Sequence, residues 1–385
     1  MSDLNKRRIA YCIPSLATHG GMERVLTLKA NYLADVVGYD IYVIVTDDKD
    51  KETFYPLSSK VHLINLNVDF GEMWKYSFFK KILVYLKKQH LYKVRLTKVL
   101  MDIRADITDS LMRREINFIN DIQDGSIKIG ELHNNRHNYR NFEERDRNVL
   151  KEIFAKYWMN SLIREIRKLR CFIVLSAEDK YNWSELNNVE VINNPISIQS
   201  YVTADVNSKN VIAVGRYSYQ KGFDLLLQTW KIVENRHPDW NLYIYGGGDR
   251  IPYQRKCDEL EINNSCHLEP ATSDIISKYL NSSIFVLSSR FEGFPMVLPE
   301  AMSLGLPCVA FTCPCGTKDI IKDGEDGLWV KNGDVDMLAN KICYLIEYPD
   351  IRKQMGKQAL LNIQRLQLDN IMKQWLTLFD TLLVD

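Results

Sequence analysis

The sequence predicts an α/β chain built of two parallel-sheet domains, and three observations carry that expectation. Its 385 residues are roughly two and a half times a usual domain of about 150, so two domains are the natural partition. Short buried strand patterns alternate with helical periodicity in two successive series, as parallel sheets with crossover helices require. Between the series, after Asn193-Asn194-Pro195-Ile196, residues 197–209 are polar and aperiodic, like a linker. The expected domains are 1–194 and 195–365, with 366–385 a C-terminal helix packing back on the first domain.

The first series opens at 9–14. Three basic residues precede an apolar run of nine residues, 9–17, but Pro14 and the turn Thr18-His19-Gly20-Gly21 lead into a helical pattern, so this is a buried strand rather than a signal peptide. Strands then follow at 41–46, 61–65, 127–131, 171–176 and 189–192. The second series runs 211–214, 242–245, 266–268, 284–287, 307–311 and 327–330. Residues 101–126 and 134–160 are polar, charged and without a clear period. Residues 335–385 are helical, with Ile371, Trp375, Leu378, Phe379 and Leu382 spaced for one buried face. Ligands of such sheets bind beyond the carboxyl ends of the strands.

Composition excludes several classes. With 46% apolar, 11% aromatic and 26% charged residues, the chain is neither disordered nor fibrous. Fifty basic against 49 acidic side chains leave +1, so no global field recruits nucleic acid. The eight cysteines lack the dense spacing of a disulfide scaffold and read as reduced, intracellular thiols. Cys313-Pro314-Cys315 has no neighbouring ligand pair to complete a zinc shell, so no metal site is expected. No window reaches the roughly 18 apolar residues of a membrane span.

Residues 71–100 stand out, with eight Lys or Arg, six aromatics and one acid, Glu72. Phe78, Ile82, Tyr85 and Leu86 recur at helical spacing while Lys80, Lys81, Lys87 and Lys88 take another sector. Such a helix either lies on an anionic bilayer through residues 74–98, or docks its stripe on the first domain and leaves its lysines solvated.

Chemistry concentrates in 288–307, Ser-Ser-Arg-Phe-Glu-Gly-Phe-Pro-Met-Val-Leu-Pro-Glu-Ala-Met-Ser-Leu-Gly-Leu-Pro. A Gly/Pro loop entering a helix offers backbone N–H donors and the positive end of a dipole to a diphosphate. Glu300, in the first turns, would reach vicinal hydroxyls such as those of a ribose, and Glu292 would face what lies beyond the phosphates. Two unrelated acids could equally cap a turn and make a surface ion pair.

The wider pattern decides between these. Glu292 and Glu300 form a Glu-x7-Glu motif, and Gly215-Arg216-Tyr-Ser-Tyr-Gln-Lys221-Gly222 precedes it. In order around them stand Gly20-Gly21-Met-Glu-Arg24, Asn193-Asn-Pro-Ile, Tyr245-Gly-Gly-Gly-Asp249, and Cys315-Gly-Thr-Lys-Asp-Ile-Ile321 with Asp323-Gly-Glu-Asp-Gly327. This set resembles the retaining glycosyltransferases of family 4, whose GT-B architecture faces two Rossmann-like domains across a cleft.

That resemblance implies a nucleotide diphosphate sugar as donor co-substrate, of UDP type, and no resident cofactor. The acceptor it implies is a hydroxyl of a glycan or lipid-linked saccharide in bacterial-type envelope polysaccharide synthesis. The enzyme would be cytoplasmic, peripheral on the inner face of the plasma membrane.

Arg216 and Lys221 would bind the diphosphate, doing the work a divalent metal does elsewhere. Glu292 would hydrogen-bond the donor sugar, and Glu300 would anchor the ribose. His133 matches the histidine that faces the donor sugar. Gly20 and Gly21 would let backbone approach the donor, although a plain turn also explains them. Gly246 begins a turn bordering the nucleotide, and it lacks the dinucleotide spacing.

Gly293, Phe294, Met296 and Val297 complete the donor set. Pro295 stands where many members have glycine, and it removes one N–H. A sugar phosphorylase, a nucleotide-sugar epimerase or a non-catalytic nucleotide-sugar binding subunit would share the phosphate site.

Overall fold

The computed structural model describes residues 6–49, 51–137, 139, 149–198 and 200–384. The chain divides into two units, one made of residues 1–175, 179–192 and 371–385, the other of 176–178 and 193–370.

The first unit carries a seven-stranded, all-parallel sheet. Its strands are β1 (Arg8–Ile13), β2 (Asp40–Val45), β3 (Val61–Asn65), β4 (Ile107–Ser110), β5 (Ile127–Leu132), β6 (Cys171–Val174) and β7 (Val189–Val191), in the order β3-β2-β1-β4-β5-β6-β7. Helices α1 (Gly21–Tyr32), α2 (Phe78–Ile103), α3 (Val149–Ile166) and α4 (Ala177–Asn182) are its connections. Coverage by crossovers on both faces explains why β1, β4 and β6 read as unbroken buried runs rather than alternating ones.

Strand β4 fills a stretch that the sequence pattern leaves unassigned. Its four residues, Ile-Thr-Asp-Ser, are all buried and hydrogen-bond beside β1, yet three of them are polar and hide the apolar signal of a central strand. Thr108 and Ser110 are hydrogen-bonded, Thr108 to the Ser126 hydroxyl, whereas both Asp109 carboxylate oxygens lack a hydrogen bond among the described residues, and Oδ2 stands 3.7 Å from Lys29 Nζ. Ser110 donates to Glu115 Oε1 at 2.7 Å, the Arg113 amide donates to the same oxygen at 2.9 Å, and the Tyr92 hydroxyl donates to Oε2 at 3.2 Å.

The basic segment also differs from one continuous helix. A 3-10 turn, Phe70–Lys75, precedes α2. The C-terminal part of α2 docks, with Tyr92, Leu96, Leu100 and Ile103 in the core beside Phe70 and Phe118. Lys88 does not join a solvated lysine sector as its spacing suggested. Its Nζ turns inward and donates to the carbonyls of Val68 and Asp69 at 2.6 and 2.7 Å and to Glu72 at 3.0 Å. Those carbonyls sit where Asn67 and Asp69 hold positive φ, a bend without regular partners that a cation can satisfy. The expectation on the side chain of Phe78 lies outside the described residues.

The second unit carries six parallel strands, β8 (Asn210–Val214), β9 (Asn241–Gly246), β10 (Cys266–Pro270), β11 (Ile284–Leu287), β12 (Cys308–Phe311) and β13 (Gly327–Val330), in the order β10-β9-β8-β11-β12-β13. Its helices are α5 (Phe223–Arg236), α6 (Ile251–Leu260), α7 (Ile275–Leu280), α8 (Val297–Ser303), α9 (Thr317–Ile320), α10 (Val335–Glu347) and α11 (Pro349–Asn362). Helices α5 and α10 put Leu226, Trp230, Leu338 and Ile342 into one core with Val211, Leu242 and Val309. Each such buried side chain contributes about 1.5–3 kcal/mol.

The order of strands reverses at β8 in the second sheet, and at β1 in the first. Loops leaving the carboxyl ends of β8 and β11, and of β1 and β4, therefore diverge at a switch point, where open sheets take ligands. The final helix, α12 (Leu368–Val384), buries Ile371, Trp375, Phe379 and Leu382, and residues 371–385 belong to the first unit. All eight cysteines are free and buried.

Candidate active site

In the second unit the chemistry-bearing residues stand on loops at the carboxyl ends of β8, β9 and β11. After β8 the chain makes a 3-10 turn, Tyr219–Lys221, then passes through Gly222 at φ +63° into α5. A β-carbon on Gly222 would collide with the Ser288 carbonyl, so glycine is required where this turn touches the loop after β11. Two more bonds lock the loops together. The Ser288 hydroxyl donates to the Lys221 carbonyl at 2.9 Å, and the Arg290 amide donates to the Gln220 carbonyl at 2.8 Å. Arg290 also grips Asp224 of α5 with two bonds of 2.7 Å.

This clamp delivers Lys221 to Glu292. Lys221 Nζ donates to Glu292 Oε1 at 2.6 Å, and Ser289 donates to the same oxygen at 2.7 Å. Gln220 donates to Glu292 Oε2 at 3.3 Å and to the Phe291 carbonyl at 3.1 Å. Glu292 is 6% exposed, so these partners, more than water, satisfy its oxygens. Ser289 and Gln220 were not among the expected residues, because nothing in one sequence ties position 220 to position 292.

Beyond Glu292 the loop runs over Gly316, then enters α8. The amides of Gly293, Phe294, Met296 and Val297 find no acceptor among the described residues. They are open donors at the entrance of a helix only seven residues long, so the individual N–H groups, more than a long dipole, give the loop its affinity for anions. Glu300, in the first turn of α8, is 5% exposed. It accepts from Ser197 Oγ at 2.5 Å and from the Tyr279 hydroxyl at 3.3 Å, partners that orient it and that the sequence pattern did not reveal.

Arg216 does not share this cluster. It is exposed on the loop after β8, without a side-chain partner among the described residues. Gly246 closes β9, and a β-carbon there would strike the Gly215 carbonyl. The glycine thus serves close packing against the Arg216 loop, which the Tyr217 amide extends by donating to the Gly247 carbonyl at 2.8 Å. The Tyr217 hydroxyl donates to the carbonyls of Ile244 and Glu269 at 2.6 and 3.1 Å. The Leu268 carbonyl accepts from Arg250 at 3.0 Å.

The first unit holds the remaining expected residues. Gly20 and Gly21 open α1 after β1, and Gly20 is an extended N-cap with no side-chain bond. Its missing β-carbon leaves room for the Glu23 carboxylate, which accepts from Thr18 at 2.8 Å. His133 follows β5, its side chain 7% exposed, with Nε2 3.2 Å from Glu131 Oε2. A carboxylate partner takes a proton, so Nε2 carries it and donates. Burial and the Lys29 charge push His133 down to about 3, which makes it a neutral ring at any ordinary pH.

Behind His133 lies a buried ionic cluster. Lys29 of α1 pairs with Glu131 and stands 3.7 Å from Asp109 Oδ2. Its Nζ lies 3.8 Å from the Trp375 ring centroid and 4.8 Å from that of Tyr11. Burial raises Asp109 to about 7 and lowers Lys29 to about 8. One sequence signal could have found this cluster. Glu131 and His133 alternate onto the same side of a strand end, where a buried acid needs a cation.

Residues 199–361 match the family model described as glycosyl transferases group 1. An uncharacterized glycosyltransferase of Haemophilus influenzae is 27% identical over 383 residues, covering 96% of this chain and 99% of its own. The amylovoran biosynthesis glycosyltransferase AmsD of Erwinia amylovora is 31% identical over 229 residues, 54% of this chain and 64% of its own. Among solved structures, Staphylococcus aureus TarM in complex with fondaparinux, alpha-GlcNAc-glycerol and UDP superposes with a TM-score of 0.78 at 15% identity, covering 97% and 99% of the two chains.

The fold is therefore GT-B, an α/β architecture of two parallel-sheet domains. The matched region and these relatives together support a glycosyltransferase, with group 1 glycosyl transferases as the family whose pattern the second unit carries.

Proposed function

We propose that this chain is a retaining glycosyltransferase that moves a sugar from a nucleotide diphosphate sugar, most simply a UDP-sugar, to a hydroxyl of a glycan or lipid-linked saccharide in envelope polysaccharide synthesis. One observation carries the reading. Lys221 is clamped onto buried Glu292 beside a row of open amides at the carboxyl ends of β8 and β11.

When the nucleoside diphosphate leaves, negative charge grows on the β-phosphate. Lys221, Arg216 and the amides of Gly293, Phe294, Met296 and Val297 are the groups of this unit suited to stabilise it. Glu292 supplies the complementary negative charge toward an anomeric carbon that becomes cationic, and it accepts a hydroxyl of the transferred sugar. Glu300, oriented by Ser197 and Tyr279, accepts from the ribose hydroxyls. With substitution on the face the leaving group departs from, the anomeric configuration is kept. The UDP of the TarM complex and the polysaccharide pathway of AmsD support the donor and acceptor classes. The reading places the enzyme at the inner face of the plasma membrane.

Side-chain cations and backbone N–H dipoles do the electrostatic work, so transfer is expected to persist undiminished in excess EDTA. The measurement is the rate of UDP release, with and without a saccharide acceptor, together with NMR of the product anomer. Retained configuration, dependence on acceptor and insensitivity to EDTA are the expected results. Sugar consumption without an acceptor would instead favour an epimerase or phosphorylase, and inversion would overturn the proposed geometry.

A further inference from the structure

The two halves of α2 behave differently. From Tyr92 onward its apolar side chains enter the core, whereas in the preceding turns Ile82, Leu83 and Leu86 are 44%, 69% and 58% exposed. At 100° per residue these three occupy a single arc of about 100°. Lys80 and Lys87, both exposed, are seven residues apart and border that arc on one side. Lys75 is exposed just upstream, and Lys80 Nζ sits 4.6 Å from the ring of Tyr76, itself 37% exposed. Between 71 and 100 the sole acid is Glu72, and it is engaged by Lys88.

A soluble helix gains nothing by showing three large aliphatic side chains in one arc to water. With Lys88 turned inward, the exposed Lys80 and Lys87 stand together at one edge of the apolar arc. An apolar arc edged by ammonium groups matches the boundary between acyl chains and anionic headgroups, where the aliphatic groups sink and the lysines stay at the phosphate level.

We propose that the N-terminal half of α2 is a membrane-docking face, in which Ile82, Leu83 and Leu86 insert into an anionic bilayer and Lys75, Lys80 and Lys87 bind its headgroups. The rest of α2 is the anchor that fixes this face to the first unit. The inference stands apart from the sugar-transfer reading, because its test needs neither donor nor acceptor.

The test is flotation of the full chain with vesicles of phosphatidylcholine alone, or with a quarter phosphatidylglycerol. Binding is expected to the anionic vesicles and to weaken with added salt. Replacing Lys80→Gln and Lys87→Gln together is expected to lower the partition constant about 30-fold, from about fivefold for each lysine. The triple variant Ile82→Ser/Leu83→Ser/Leu86→Ser is expected to lower it more than about tenfold, with an unchanged melting temperature because the three positions are exposed.

Leu361→Ser, at a site on α11 that is 65% exposed, is expected to bind as the parent does. Equal binding to both vesicle types, or no loss in the triple variant, would overturn the proposal. So would a concentration-dependent dimer that the triple variant abolishes, since a second copy would then cover the face.

Discussion

Lys221→Ala is expected to lower kcat for sugar transfer by about 10²–10³-fold, the usual consequence of removing one preorganised group that stabilises developing charge. The physical reason is the clamp. Gly222, Ser288 and Arg290 fix the loop so that Nζ is held at Glu292, 2.6 Å away, before any substrate arrives, and no reorganisation is needed as the diphosphate leaves. Glu292→Gln keeps the shape and an accepting oxygen but removes the charge. A comparable fall in kcat is expected, with donor KM changed by less than about threefold, because the charge matters as the anomeric carbon turns cationic. Steady-state kinetics with a UDP-sugar check both. Full kcat with a normal donor KM in Glu292→Gln would remove Glu292 from the chemistry.

Lys29→Met is expected to destabilise the first unit by about 3–5 kcal/mol, since it leaves the carboxylates of Asp109 and Glu131 buried without their shared cation. At about 2–4 °C per kcal/mol the melting temperature should fall by about 6–20 °C. The cluster also sets a pH signature.

Asp109 is raised from 3.8 to about 7, so its contribution is full below the lower value and is lost as pH rises through the upper one. Lys29 is lowered from 10.5 to about 8, so its contribution is present above 10.5 and is lost as pH falls through about 8. Both penalties act together between those two folded values. Asp109→Asn should therefore gain stability relative to the parent as pH goes from about 5 to about 7.5. A difference that stays constant over that range would mean that Asp109 is already ionised at low pH.

How much of this was legible in the sequence follows from where each signal resides. Short apolar clusters between turn residues mark most strands, and twelve of the thirteen fall where the sequence pattern expects one. Strand β4 does not, because three of its four residues are polar: Thr108 and Ser110 bond to Ser126 and Glu115, and Asp109, without a hydrogen bond among the described residues, faces the Lys29 charge, residues that no local pattern links. The loop 288–300 was legible because glycine, proline and acid spacing are local. What orients it was not, because Gln220 with Glu292, and Ser197 with Glu300, meet only through the fold. The basic helix was half legible. Its periodicity is real, but which lysine faces inward depends on the bend at 67–69, and that put Lys88 on carbonyls instead of in water.

The most direct test of the central claim is the melting temperature of the purified chain with UDP, GDP, ADP, CMP or NAD, repeated on Lys221→Ala and Glu300→Ala, each judged against its own unliganded baseline. A ligand at about 100 times its Kd stabilises the folded state by about 2.7 kcal/mol. A rise of several degrees is expected with one nucleoside diphosphate, UDP, and its loss in both variants. No shift with any nucleoside diphosphate, a shift with NAD alone, or a UDP shift unchanged in both variants would contradict it.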